Sequence, residues 1–300
     1  MTPRASARRV ALARCLAFGG AVGLGCSLVR PLDELESSSR SVGASSLADC
    51  GERARGESEL SCSDAGASCP ACPPEMQQVL FPDGTAFCID RYETSRGEYD
   101  EFLADVASCN APPSADLCSK DSDFVPGSGD QCSQPYLPGV SPNLPITCVD
   151  LCDAKAYCEW RGKRLCGAKG REIGGDQAVD DPNRDEWFAA CTGGGDRSYP
   201  YGDEYSPSAC NTDSSGVQDG RSFSACATPD PIFNLSGNVA EWQLLCGYWQ
   251  LFCRVRGGAF SSRDAALTRC AAGAASIDDN LPISARMPQL GFRCCRDSAG

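Results

Sequence analysis

Histidine is absent from this chain of 300 residues. Its absence excludes a Ser-His-Asp triad, a Cys-His dyad, an imidazole general base and a two-histidine iron site. Carboxylates, lysine, tyrosine, cysteine or a borrowed metal are left to do any chemistry. A long apolar run is also missing: residues 15–25 (CLAFGGAVGLG) are the apolar part of the N-terminus, too short to cross a bilayer. A basic surface is missing too. The formal net charge of −13 argues against nucleic acid, whose phosphate backbone needs a positive face. It suits either plain solubility or a liking for calcium.

What the chain has instead is 22 cysteines. Arg4, Arg8, Arg9 and Arg14 precede the short apolar run, and small residues ending in Cys26 follow it, the layout of an export signal over residues 1–26. The GLGC segment is similar to a lipoprotein processing site and makes Cys26 the candidate lipid anchor. Membrane contact is expected only through that lipid. Setting aside Cys15 and Cys26 leaves an even 20 cysteines, which in an oxidising compartment read as disulfides. The rival is a metal-thiolate site. Cys69 and Cys72 form one CxxC, but no second follows at zinc-finger spacing. Cys246 and Cys253, close in sequence, are expected to pair with each other.

Residues 27–74 are rich in Ser, Glu, Arg and Gly and read as a disordered tether, with Cys50, Cys62, Cys69 and Cys72 closing small loops in it. Every tryptophan and tyrosine lies beyond it, so residues 75–296 are expected to form one domain with its own core. The Pro-, Gly- and Ser-rich stretch 109–145 reads as an insertion pinned by Cys109, Cys118 and Cys132. Three helices are predicted. Ser95 and Glu98 form a capping box ahead of Tyr99, Phe102, Leu103 and Val106. Asp150 caps a second helix, with Leu151, Ala154, Tyr157 and Cys158 on one face. Asp181-Pro182 opens a third, carrying Trp187, Phe188 and Cys191 and stopped by Gly193 to Gly195. The rest is short apolar runs between Gly and Pro, the pattern of a loop-rich α+β domain.

The densest motif is NLSGNVAEW, residues 234–242. A turn at Gly237 could bring the Asn234 amide and the Glu241 carboxylate together with backbone carbonyls as an oxygen cage for calcium. It could equally be an Asx-turn, with Glu241 paired to an arginine and Trp242 in the core. With FCIDRYETSRGEYDEFL (87–103), PITCVDLCDAKAYCEWRGKRL (145–165), DEWFAACTGG (185–194), YPYGDEY (199–205), RVRGGAF (254–260) and LGFRCC (290–295), this motif resembles the formylglycine-generating enzyme family, also called the sulfatase-modifying factor domain.

The resemblance implies a C-type-lectin-like variant of the formylglycine-generating-enzyme type, loop-rich and crossed by many disulfides. It implies calcium held by the side chains of Asn234 and Glu241 and the carbonyls of Gly237 and Val239. A second calcium site would fall at Asn211 and Thr212, with Asp219 a weaker member. It also implies the disulfides Cys158–Cys294 and Cys191–Cys270. Family enzymes bind copper through two cysteines just after the RGG turn, whereas here the segment reads GGAFSSRDAALTRC. Ser261 or Ser262 takes the first cysteine position and residues 265–267 the second. A hydroxyl is a poor ligand for copper(I), and the family branch that uses three histidines for iron is equally out of reach.

Read alone, Arg256 with Gly257 and Gly258 is turn geometry, Arg293 pairs with an acid, and Trp160, Trp187 and Trp242 are core. Tyr199, Tyr201 and Tyr205 line a groove or pack inside. The expectation is an exported envelope protein whose domain has lost its catalytic metal and binds a peptide or glycan. The alternatives are an oxygen-dependent oxidase with a relocated metal site and a structural surface protein.

Overall fold

The computed structural model describes residues 47, 50, 72–109, 117–119, 123–127, 132, 134–171, 179–247, 251–271 and 280–298. The leader, Cys26, Cys62 and Cys69 lie outside the described residues.

Among the elements with described bounds are two four-stranded sheets and three α-helices, an α+β fold. The first sheet contains β1 (Met76–Leu80), β2 (Ala86–Asp90), β3 (Arg164–Leu165) and β8 (Cys294–Asp297) in the order β1-β2-β8-β3. All its pairings are antiparallel. The second contains β4 (Ala240–Cys246), β5 (Phe252–Arg256), β6 (Asn280–Pro282) and β7 (Leu290–Gly291) in the order β6-β5-β4-β7. Its β4–β7 pairing is parallel.

Helix α1 (Arg96–Cys109) begins where the sequence places it. The Ser95 Oγ accepts from the Glu98 amide, and the Glu98 carboxylate accepts from the Ser95 amide and hydroxyl. Helix α2 (Leu151–Trp160) carries a full capping box from Asp150 and Asp153. These reciprocal bonds satisfy amides that the helix itself leaves without acceptors. Helix α3 (Glu186–Thr192) starts later than expected. Asp185, not Asp181-Pro182, is its cap, taking the Phe188 amide, because Asp181 is spent on a preceding turn with Asn183. Gly193 ends it at φ 66°, a left-handed conformation that costs glycine little.

One core gathers Tyr99, Phe102, Tyr157, Trp160, Trp242 and Phe292 between α1, α2 and the second sheet. The other gathers Phe81, Phe87, Ile89, Trp187 and Leu235 around α3. Adjacent Cys294 and Cys295 tie both together. Successive strand residues point to opposite faces, so Cys294 reaches Cys158 in the first core and Cys295 reaches Cys166 in the second. Every cysteine among the described residues is in a disulfide, nine bridges in all. Cys191 pairs with Cys270, and Cys246 with Cys253. The insertion is fastened by Cys118–Cys152 and Cys132–Cys148.

One expectation needs correction. Cys50 and Cys72 do not close loops within residues 27–74: Cys50 bonds Cys109 at the end of α1, and Cys72 bonds Cys88 on β2. Leu47 and Cys50 are buried in the first core. Apolar burial holds these two residues against the first core.

Candidate functional site

The segment before β4 winds tightly. Asn234, Gly237 and Asn238 all have positive φ, at 58°, 74° and 61°. At Gly237 a β-carbon would come within 2.4 Å of the Asn211 carbonyl oxygen, so only glycine fits. The Asn238 amide donates to that same carbonyl at 2.7 Å. The turn places two asparagine side chains around one buried acid. Asn234 Nδ2 donates to Glu93 Oε2 at 2.8 Å and to the Gly220 carbonyl, and Asn238 Nδ2 donates to Glu93 Oε1 at 3.0 Å. Asn238 Oδ1 accepts from Asn211 Nδ2 at 2.9 Å. The two segments expected to hold separate calcium ions are thus stitched into one amide network. Burial pushes Glu93 up to about 7, with Glu241 adding to the rise and Arg293 and the asparagines opposing it.

Glu241 faces the other way. Its Oε1 accepts from Arg293 Nη2 at 2.6 Å, and its Oε2 accepts from Arg293 Nε at 2.7 Å and Trp187 Nε1 at 2.9 Å. Both partners of this pair are essentially inaccessible to solvent. Burial alone would lower the Arg293 pKa, but the Glu241 carboxylate outweighs it and the guanidinium is held charged. Arg293 also donates to the Asp90 and Phe233 carbonyls and so connects the two sheets. Trp242 is core, its indole donating to the Val149 carbonyl.

This arrangement bears on calcium. The ion needs oxygens turned toward one point. Asn234 Oδ1 is buried and has no hydrogen-bond partner, as has Thr212 Oγ1. Both oxygens of Glu241 are committed to Arg293. The Asn234 amide oxygen has no partner, whereas the Glu241 carboxylate, as placed, is fully engaged. Asp219 is half-buried and caps the Arg221 amide.

A pH experiment isolates Glu93. A carboxylate raised from 4.5 to about 7 on folding contributes stability that is complete below the lower value and is lost as pH rises through the higher. Glu93→Gln is expected to flatten the change in denaturation midpoint between pH 5 and pH 8 relative to wild type. An unchanged slope would remove Glu93 as its source.

The turn after β5 is the segment in which the resemblance looks for copper cysteines. Gly257 and Gly258 adopt φ of 89° and 69°. Ser262 is buried, and its Oγ accepts from the Ala259 amide at 2.9 Å. Ser261 is exposed. Residues 265–267 form a short 3-10 turn capped by Asp264 through the Ala266 amide. Hydroxyl and carboxylate caps therefore occupy this turn, and residues 254–269 contain no thiol. Among the described residues no three Cys, Asp or Glu side chains cluster as a metal site, and the flanking Cys253 and Cys270 are locked in disulfides.

Comparison with known proteins decides the family. The model of the sulfatase-modifying factor enzyme 1-like domain matches residues 34–298. The chain belongs to that family. It is 32% identical over 144 residues to a formylglycine-generating enzyme of Thermomonospora curvata, covering 42% of this chain and 41% of that protein. A second formylglycine-generating enzyme, from Streptomyces coelicolor, is 29% identical over 191 residues, 52% of this chain and 54% of its own length. An inactive C-alpha-formylglycine-generating enzyme 2 from Bos taurus is 30% identical over 112 residues, 33% and 32% of the two chains. The chain spans about half the length, or less, of these curated relatives.

Within this family member, two charged residues have roles that sequence reasoning missed. Arg256 was read as turn geometry, yet its guanidinium is buried and paired with Asp185 at 2.9 Å and Asp180 at 2.7 Å. Burial pushes Asp185 above the usual carboxylate range, against the pull of Arg256. One carboxylate thus caps α3 and anchors the turn. Glu93 was also missed: it lies three residues past the end of β2, after Asp90 and Arg91, where the sequence gives no sign that a carboxylate is buried. Tyr199 is buried, stacks on Tyr201 at 5.4 Å and donates its hydroxyl to the Ala265 carbonyl, with Tyr205 against it. The three tyrosines pack behind the degenerate turn.

Proposed function

We propose that this protein is an exported, envelope-associated and non-catalytic member of the family, acting as a binding or structural module. One observation carries the proposal. At the position of the copper ligands, Ser262 is spent on a backbone amide and residues 265–267 contain no thiol. The basic and apolar leader, with Cys26 as its lipid anchor, supports export to the periplasm, outer membrane or cell surface. So does a disulfide-rich core of a kind favoured by oxidising compartments. The organisation proposed is a signal over residues 1–26, a linking segment over 27–74 and the domain over 75–296, in the C-type-lectin-like variant. Its partner would be an envelope or extracellular peptide or glycan.

The test is direct. Purified protein supplied with copper(I) and oxygen is expected to leave a sulfatase-type cysteine peptide unoxidised. Oxygen-dependent loss of the peptide thiol, with tightly held copper, would overturn the proposal in favour of an oxidase with a relocated metal site.

A calcium ion at Asn234, Gly237, Val239 and Glu241 is the second reading, favoured by the unpartnered Asn234 Oδ1. It requires Arg293 to release a carboxylate oxygen. The corresponding ion at Asn211 and Thr212 would use the unpartnered Thr212 Oγ1.

A further inference from the structure

A cavity of about 270 Å³ opens between the end of β2, the start of α1, the end of α2 and the loop at Gly220. Its charges are unevenly satisfied. All four acids at its wall have partners, two of them a lysine and two only neutral donors. Glu75 and Asp90 both pair with Lys163, at 3.0 and 2.6 Å. Glu93 accepts from Asn234 and Asn238, and Glu98 accepts from the Ser95 amide and hydroxyl. The three arginines at the same wall, Arg91, Arg161 and Arg221, have no carboxylate within ion-pair distance among the described residues.

Each arginine is held in place by an uncharged group. Arg91 Nη1 donates to the Pro231 carbonyl at 3.2 Å. The Arg161 guanidinium lies over the Trp160 ring at 5.8 Å. The Arg221 guanidinium lies over the Tyr92 ring at 4.9 Å, and Tyr92 in turn stacks on Phe233 at 4.7 Å. Stacking and carbonyl bonds orient a guanidinium without neutralising it. In a chain of net charge −13, carboxylates are abundant, yet none among the described residues closes these three forks. A planar fork of N–H donors matches the oxygens of a carboxylate, phosphate or sulfate.

We propose that this cavity is a binding site for a ligand bearing an oxyanion group, clasped by Arg91, Arg161 and Arg221 with the Tyr92 ring as the supporting platform. The site lies apart from the turn after Gly258. It extends the binding-module reading, and its failure would leave the loss of the copper ligands untouched.

Inorganic phosphate and citrate serve as probes of the two oxyanion sources. Each is titrated calorimetrically into the full chain at constant ionic strength set with sodium chloride. Saturable one-site binding is expected for at least one probe. Preference for phosphate assigns a tetrahedral oxyanion, and preference for citrate a carboxylate. Arg221→Ala and Arg161→Ala are each expected to weaken binding roughly tenfold, the scale of one charged hydrogen-bonding contact. Arg221→Lys, which keeps the charge and loses the fork, is expected to fall between. Arg221 is exposed, so its replacement should leave the fold intact. Arg296→Ala removes an exposed arginine outside the cavity and should change nothing. Non-saturating binding, a lysine variant equal to wild type, or equal weakening in Arg296→Ala would each overturn the site in favour of diffuse charge attraction.

Discussion

Arg293→Ala is expected to lower the stability of the domain by about 3–5 kcal/mol, the scale on which breaking one side of a buried ion pair acts. The loss does not measure the attraction within the pair. It reflects Glu241 left charged where no water reaches it, together with two carbonyls, of Asp90 and Phe233, that lose their donor. Urea denaturation with the disulfides intact is the measurement. A loss below about 1 kcal/mol, the range of a surface pair, would mean that Glu241 is stabilised by something else. The same titration with a calcium chelator identifies that other agent. A wild-type midpoint unmoved by chelator assigns Glu241 to Arg293 alone. A drop in wild type that is missing in Asn234→Ala adds a calcium ion at the turn.

The second large effect concerns Cys158–Cys294. This bridge joins α2 to β8 across 136 residues, whereas Cys246–Cys253 closes a separation of only 7. Cys166–Cys295 joins the same two segments, so with it intact Cys158–Cys294 closes a loop of only about ten residues in the unfolded chain, and on the chain-entropy model that closure and the Cys246–Cys253 closure are each worth about 2–3 kcal/mol. Replacing both cysteines of Cys158–Cys294 with serine is therefore expected to cost about as much as the same change in Cys246–Cys253, and replacing those of Cys158–Cys294 and Cys166–Cys295 together, which opens the long loop, at least twice as much. All six of the sulfur-bearing side chains are buried, so the cost of each hydroxyl placed in the core is similar and the comparison isolates the loop. Simple additivity of the two neighbouring bridges in thermal or chemical denaturation, with no extra loss on opening the long loop, would locate the contribution in packing and not in the unfolded chain.

The helices were legible because their signals are local. A Ser, two residues and a Glu, then an apolar stripe, are enough to place α1, and Asp150 does the same for α2. The start of α3 was not legible, because Asp181 and Asp185 are both competent caps. Only the turn with Asn183 and the ion pair to Arg256 assign the role to Asp185. The strands were hardest to place. Pieces of two to seven residues pair with segments far away in sequence, and such pairing leaves little periodicity within any one of them.

The candidate site divides in the same manner. The glycine at 237 and the amide-rich turn around it are written in the motif, since a close backbone approach leaves no alternative residue. The carboxylate that the asparagines hold lies 141 residues away at Glu93. The cation that claims Glu241 lies 52 residues away. Neither distance can be read along a chain.

The sequence by itself determined that no imidazole chemistry is available, that no thiol lies between Cys253 and Cys270, and that the cysteines are numerous and even enough to pair. Those are statements about which atoms exist, and composition settles them. The tertiary structure decided which of those atoms meet. It gave Glu241 to Arg293, set Arg256 against Asp185, drew Cys50 into the core and left three arginines at one cavity with no carboxylate among the described residues in ion-pair reach. Charges and thiols find partners by proximity and burial, and both are properties of the folded chain.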